Sequence, residues 1–221
     1  MTHPTRPASR RLLPALLLAC ATALPAALAA ETGPDAAVIL RAVARPAPSQ
    51  TPFVEVRQSP MLKKPLRIEG EYRREANGDL VREVRVPYVE TTTLSAGEAV
   101  IERAGRAPRK VSLHQVPELE AIQNGFGALL AGDTARLEKT YSVQSQGTLQ
   151  AWTLRLQPRD ARLARSLQRI DLHGQGADLL CVESHPVRGE PQRTLMAASA
   201  AAAAGIEDMQ ALATLCHGKA E

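Results

Sequence analysis

The sequence predicts a mainly β, α+β protein built on one strongly curved antiparallel sheet, a half-open β-barrel with helices packed over its open side. Three observations predict it. From Phe53 to Leu113 the chain reads as short strands in succession, with apolar and charged residues alternating at the period of two that separates the faces of a strand. The connections between them are too short for parallel crossovers. The order of elements is helix, many strands, helix, strands, helix, which is not the alternation that builds a parallel sheet.

The first thirty residues read as an export signal. Arg6, Arg10 and Arg11 form a basic start, Leu12 to Leu28 is an apolar run, and Ala27-Leu28-Ala29 fits a small-x-small cleavage site. Pro14 and Pro25 interrupt the run, which disfavours a permanent membrane helix. Cleavage after residue 29 is expected, with a retained anchor as the alternative. Leu17-Leu18-Ala19-Cys20 also resembles a lipobox, and a lipidated Cys20 would make the protein membrane-anchored. Removing residues 1–29 lowers the formal net charge from +4 to +1. Together with an aromatic content of 3%, this leaves neither the basic stripe nor the stacking platforms of a nucleic-acid binder.

Asp35 to Arg45 predicts a short helix with Val38, Ile39, Ala42 and Val43 on one face, stopped at Pro46. Strands follow at Phe53 to Gln58 and Leu66 to Glu75. In the first, Val54 and Val56 sit among Glu55, Arg57 and Gln58. In the second, Leu66, Ile68 and Tyr72 alternate with Arg67, Glu69, Glu71 and Arg73. Asn77-Gly78 marks a hairpin turn into Leu80 to Val86, where Val84 and Val86 alternate with Glu83 and Arg85. Glu55, Glu69, Glu71, Glu83 and Glu90 are assigned to a solvated face. Strands at Val89 to Leu94, Ala99 to Arg103 and Val111 to Leu113 complete this half.

The period then changes. Over Pro117 to Ala131, Leu119, Ile122, Phe126 and Leu129 recur at spacings of three and four, with Pro117 in the first turn and Gly132 at the stop. Gly125 and Gly127 inside this helix serve either close packing or a loosened lid, at about 1 kcal/mol each relative to Ala. Strands resume at Tyr141 to Ser145, Leu149 to Leu156, Leu167 to His173, Leu179 to Glu183 and Arg193 to Met196. Trp152, Leu154 and Leu156 share one face. A helical tail over 197–221, with Ile206, Met209, Leu212 and Leu215 as its apolar stripe, is expected to dock on the sheet.

Two cysteines follow the leader. In an oxidising compartment Cys181 and Cys216 suggest a disulfide; two free thiols, or a zinc site with His185 and His217, are the alternatives. No nucleophile elbow, phosphate loop, metalloprotease helix or dinucleotide fingerprint is present. His114, His173, His185 and His217 are scattered and read as surface residues. No enzyme activity, catalytic residue, metal or cofactor is expected. The concave apolar face is either a ligand site or a dry core.

Several runs resemble the LolA-like periplasmic carriers: Phe53-x-Glu55-x-Arg57, Lys64-Pro65-Leu66-x-Ile68-x-Gly70, Arg85-x-Pro87-x-x-Glu90, the Pro117 helix ending at Gly132-Asp133, and Trp152-x-Leu154-x-Leu156-x-Pro158. The similarity covers about residues 36–196, within a domain of 30–196, and is closest to the branch found with aryl-polyene pigment clusters of Gram-negative bacteria. It implies a LolA/LolB-like half-barrel in the periplasm that shields the acyl chain of a lipoprotein or lipidic product between an inner-membrane donor and an outer-membrane acceptor. A monomer is expected. On this reading Phe53, Leu66, Ile68, Tyr72, Val84 and Val86 line the lipid cavity with Trp152, Leu154 and Leu156. Leu119, Ile122, Phe126 and Leu129 belong to a lid at about 117–131. One departure stands out. The family carries a Lys/Arg-Pro pair after the Gly-bearing strand, whose Arg latches the lid. Here the place reads Glu75-Ala76-Asn77-Gly78, with Arg73 and Arg74 out of register. A sensor or regulatory module on the same scaffold, or a lipid-anchored acceptor, are the alternatives to a carrier.

Overall fold

The computed structural model describes residues 33–57, 63–95 and 97–218, and of residues 117–119 and 121–124 the backbone alone. The export signal and Cys20 lie outside the described residues, as do the side chains of Leu119 and Ile122. The described residues belong to one compact unit, Glu31–Glu221.

Among them are eleven strands: β1 Ser49–Arg57, β2 Leu66–Arg74, β3 Leu80–Val86, β4 Glu90–Ser95, β5 Glu98–Arg103, β6 Arg109–Ser112, β7 Tyr141–Gly147, β8 Trp152–Pro158, β9 Leu167–Gln175, β10 Asp178–Pro186 and β11 Gln192–Met196. They form one sheet in the order β6-β5-β4-β3-β2-β1-β11-β10-β9-β8-β7. All ten pairings are antiparallel. The spatial order is the chain order read round a circle and cut between β6 and β7, so the sheet is open there. The two helices α2 (Pro117–Ala131) and α3 (Thr134–Thr140) are inserted at that cut.

Local chemistry sets the connections. At the β2–β3 hairpin Gly78 has φ 90°, a conformation open to glycine at no steric cost, and the Asp79 N–H donates to Asn77 Oδ1 at 3.0 Å. Helix α2 ends at Gly132 with φ 67°, whose N–H caps the last turn. A Cβ there would stand 3.0 Å from that of Ala44, so the glycine also lets the end of α1 (Ala36–Val43) lie against the end of α2. Helix α3 was not anticipated: its seven residues are too short for a periodic signal. Its one cue is Asp133, whose side chain accepts the Arg136 N–H.

The main core sits between the inner sheet face and α1–α3. Ile39, Leu40 and Val43 of α1 pack with Ala128, Leu129, Leu137, Tyr141, Trp152, Leu154 and Leu156. The buried face of α1 is therefore turned one residue from the expected one: Leu40 is buried, and Val38 is 37% exposed. Trp152 lies across Gly174, where a Cβ would meet the indole at 2.0 Å, and its Nε1 donates to the Gly176 carbonyl at 3.0 Å.

A second core lies on the outer face. Helices α4 (Ala197–Ala202) and α5 (Met209–His217) cover Val54, Val56, Cys181 and Leu195, and Cys181 is disulfide-bonded to Cys216. This overturns the expected faces of β1. With the tail on its outside, the strand has apolar cover on both sides: Val54 and Val56 face outward, while Phe53, Glu55 and Arg57 face inward. Val86 is also corrected. It pairs with Glu69 while Val84 pairs with Gly70, leaving Arg85 as an extra residue. Such a bulge reverses the faces beyond it, so Val84 is fully buried and Val86 is 44% exposed on the outside.

Candidate functional site

A cavity of about 390 Å³ opens between the inner sheet face and α2. Its walls are largely apolar. Phe126 and Leu129 come from α2, Tyr72, Leu80, Leu94 and Ile101 from one side of the sheet, and Leu156, Ile170, Leu172, Val182 and Met196 from the other. Gly125 closes on Tyr141: a Cβ there would lie 3.0 Å from the ring, so this glycine serves close packing. The rings of Phe53, Tyr72 and Phe126 form a chain, with centroids 4.7 and 5.2 Å apart.

Four of the expected cavity residues line this space: Tyr72, Phe126, Leu129 and Leu156. Phe53, Ile68 and Val84 instead form a dry cluster with Leu66 packed against it. Trp152 and Leu154 belong to the main core, and Val86 is outside. The difference follows from geometry that periodicity does not carry. Phe53, Ile68 and Val84 are filled in by one another and by the neighbouring Tyr72 and Tyr88, and Trp152 and Leu154 by α1 and α3, which leaves open the stretch between them, under α2.

Charged residues enter the cavity wall, which the alternation did not predict. Glu55 is 5% exposed. Its carboxylate accepts from Arg82 Nη2 at 2.7 Å and from Arg57 Nε. Arg82 also stacks over the Phe53 ring at 4.8 Å. Burial works to lower the Arg82 pKa, but the Tyr72 oxygen and the Glu55 carboxylate outweigh it and the net direction is up. Burial pushes the Tyr72 phenol up. Farther along, Glu90 pairs with Arg103. Thr92, Thr194, Gln192 and Ser184 complete the polar part of the wall. The sequence signal was the spacing Phe53-x-Glu55-x-Arg57, which places all three on one face.

Arg74 joins the helices to the sheet. It is inward-facing like Tyr72, two residues earlier, and its Nη1 donates to the Arg45 carbonyl at 3.0 Å and the Leu130 carbonyl at 3.3 Å. The Arg45 N–H also donates to the Leu130 carbonyl, at 3.0 Å. The motif after β2 departs from the family's, and a tie between α1, α2 and the sheet is made by Arg74 within β2 itself.

The histidines also differ from expectation. On the outer face His173, His185 and His217 surround Glu183, which is 4% exposed. His217 Nε2 lies 3.1 Å from its Oε2, and Arg193 Nη2 lies 2.6 Å from its Oε1. Neighbouring Asp171 is held by Arg155 and Arg169 at 2.8 and 2.9 Å. Burial raises both carboxyls, but their partners outweigh it. The His173 and His217 imidazoles with Arg193 hold Glu183 far below its usual range, and Arg155 and Arg169 lower Asp171. Donor atoms of His173, Glu183, Cys216 and His217 lie within 4.8 Å of one another, as do those of Asp171, Glu183 and His185. Cys216 is committed to its disulfide, and three guanidiniums face two carboxylates. That surplus of positive charge suits an ionic network between sheet and tail better than a cation site.

Among the described residues no helix is long and apolar enough to cross a membrane. Among solved structures, a LolA superfamily protein from Nitrosomonas europaea is 12% identical, with a TM-score of 0.40, over 72% of this chain and 89% of that one. LprF from Mycobacterium bovis is 11% identical, with a TM-score of 0.33, over 73% and 91%. The Pseudomonas aeruginosa MucA/MucB complex gives 17% identity and a TM-score of 0.37, over 74% of this chain and 56% of that one. No curated protein sequence matches significantly. The model of the outer membrane lipoprotein carrier protein LolA-like family matches residues 27–220, and the chain belongs to that family.

Proposed function

We propose that this protein is a periplasmic carrier of Gram-negative bacteria. It shields the acyl chain of a lipoprotein or lipidic product between an inner-membrane donor and an outer-membrane acceptor, with α2 as the lid. The observation that carries this reading is the apolar cavity beneath α2, closed on one side by Phe126 and Leu129. Its mechanism is partitioning. Each buried CH₂ contributes about 0.8 kcal/mol, and opening of α2 releases the chain, as lids do elsewhere. No catalytic residue or cofactor takes part.

The test is transfer of a fluorescent acyl chain between donor and acceptor vesicles, with probe binding measured on the purified protein. Phe126→Asp places a carboxylate on the cavity wall. It should abolish binding and transfer while far-UV circular dichroism stays that of the wild type. A folded variant that binds as well as wild type would remove α2 from the site. Probe binding without transfer would favour a sensor on this scaffold, and no binding by the wild type would overturn the lipid reading.

A further inference from the structure

The polar part of the cavity wall has an organisation that simple apolar partitioning does not need. Across β10, β11 and β1 the registers bring Ser184 opposite Gln192 and Thr194 opposite Glu55, with Arg57 two residues farther along β1. Arg82 reaches the same carboxylate from β3. Glu90 is already matched by Arg103. Glu55, however, is shared by two guanidiniums, so this stretch of wall holds one positive charge more than it holds negative. Arg82 and Glu55 sit beside apolar side chains, where the local dielectric is low and charges must be matched, and Arg57 adds the extra positive charge at the solvent edge of the same wall. The Arg57 side chain is 44% exposed and so open to an incoming head, whereas that of Arg82 is 18% exposed and stacks over the Phe53 ring.

We propose that the cavity takes a single-chain amphiphile with one negative charge. Its oxyanion head is held by Arg57 and Arg82, with hydrogen bonds available from Gln192, Thr194 and Ser184. Its chain lies over Phe126, Leu129 and the apolar wall beyond. This rests on the carrier reading and names the class of cargo. A volume of about 390 Å³ is at the small end of ligand sites and suits one chain rather than several. Glu55 then has a definite part. In the empty protein it holds the two guanidiniums in place, and when the ligand enters it competes with the head for Arg57. The competition keeps the complex reversible, as a carrier requires. A carboxylate and a phosphodiester share the needed chemistry, because both are planar or tetrahedral oxyanions that an arginine fork can grip.

The experiment is a fluorescence titration of the purified protein with dansyl-undecanoic acid and with its methyl ester. Wild type should bind the acid about tenfold or more tightly than the ester, the ratio expected of one charge-assisted hydrogen bond. Arg57→Gln, a change at a half-exposed side chain, should lower the ratio of acid to ester affinity severalfold, with both affinities measured on the same variant. Glu55→Gln should act with the opposite sign, tightening the acid alone. It should also show a larger rise in Tm on adding acid than wild type does. Dodecanoic acid and dodecyl methyl phosphate as competitors then identify the head by which displaces the probe at lower concentration. Equal binding of acid and ester by the wild type overturns the head-group assignment and leaves the carrier reading standing. Failure of both probes to bind overturns the two together. An Arg57→Gln protein that keeps the full acid preference also overturns the assignment.

Discussion

Arg74 ties the last turn of α2 to the sheet through its bond to the Leu130 carbonyl oxygen, 3.3 Å from Nη1. The same guanidinium nitrogen holds the Arg45 carbonyl just past the end of α1, so one side chain joins the ends of both helices to the sheet. Hydrogen bonds from a charged donor contribute about 1.5–3 kcal/mol each. Arg74→Met keeps the apolar stem and removes both. Amides in the last turn of α2 should then exchange with solvent about tenfold faster or more, while those of β8 to β10 keep their wild-type protection. Unchanged exchange in α2 would show that the helix is held by its apolar contacts alone.

How far the sequence carries can be judged from two neighbouring strands. The alternation of Leu66, Ile68 and Tyr72 gives β2 its correct inward face by the rule of one apolar face, because its apolar side chains all lie on that face, against Phe53, Val84 and Phe126, while Arg67, Glu69, Glu71 and Arg73 make the other. The same rule misreads β1. Val54 and Val56 belong to the outer core made by a tail about 150 residues later, and Glu55 belongs to the cavity. A strand covered on both sides has no wet face, and periodicity does not say which apolar set looks inward. Val86 fails for a smaller reason: one bulged residue, Arg85, reverses the face. The helices α2 and α5 and the disulfide were legible because each has a strong local mark, a periodic stripe or an even pair of cysteines. The arginine tie was not, because its partners are backbone carbonyls, which carry no residue signature. The cavity and its charges depend on the curvature of the whole sheet.

The Cys181–Cys216 bond closes a loop of sequence separation 35 and joins α5 to β10. A loop of that length is expected to contribute about 3–4 kcal/mol. Beside it, His217 reaches Glu183 from the same turn of α5, so loss of the disulfide also weakens that contact. Reduction with dithiothreitol should expose α4 and α5 to limited proteolysis first, with the sheet still resistant under conditions that cleave the tail. A single transition in which tail and sheet become susceptible together would show instead that the outer core is needed for the sheet to hold.

His185 supplies a dependence on pH whose sign follows from its surroundings. It stands on β10, facing Asp171 at 3.2 Å and Glu183 at 3.5 Å, with Arg169 and Arg193 bound to those same carboxylates. Burial is the main influence and pushes the imidazole pKa below its usual value; Arg169 and Arg193 act in the same direction, while Glu183 and Asp171 oppose them without prevailing. The folded protein therefore holds His185 neutral over a range where the unfolded chain, with a pKa of about 6.5, has begun to take up a proton. Between those two pKa values the unfolded state binds more protons, so stability rises with pH. The contribution is complete above about pH 6.5 and is lost as pH falls through the folded value. Asp171 and Glu183, both held below their usual range, stay ionised across this window and add no slope of their own. Tm should fall between pH 7.5 and pH 5.5 in the wild type, and His185→Gln should flatten that decline. A variant that retains the full wild-type slope would assign the titration to groups other than His185.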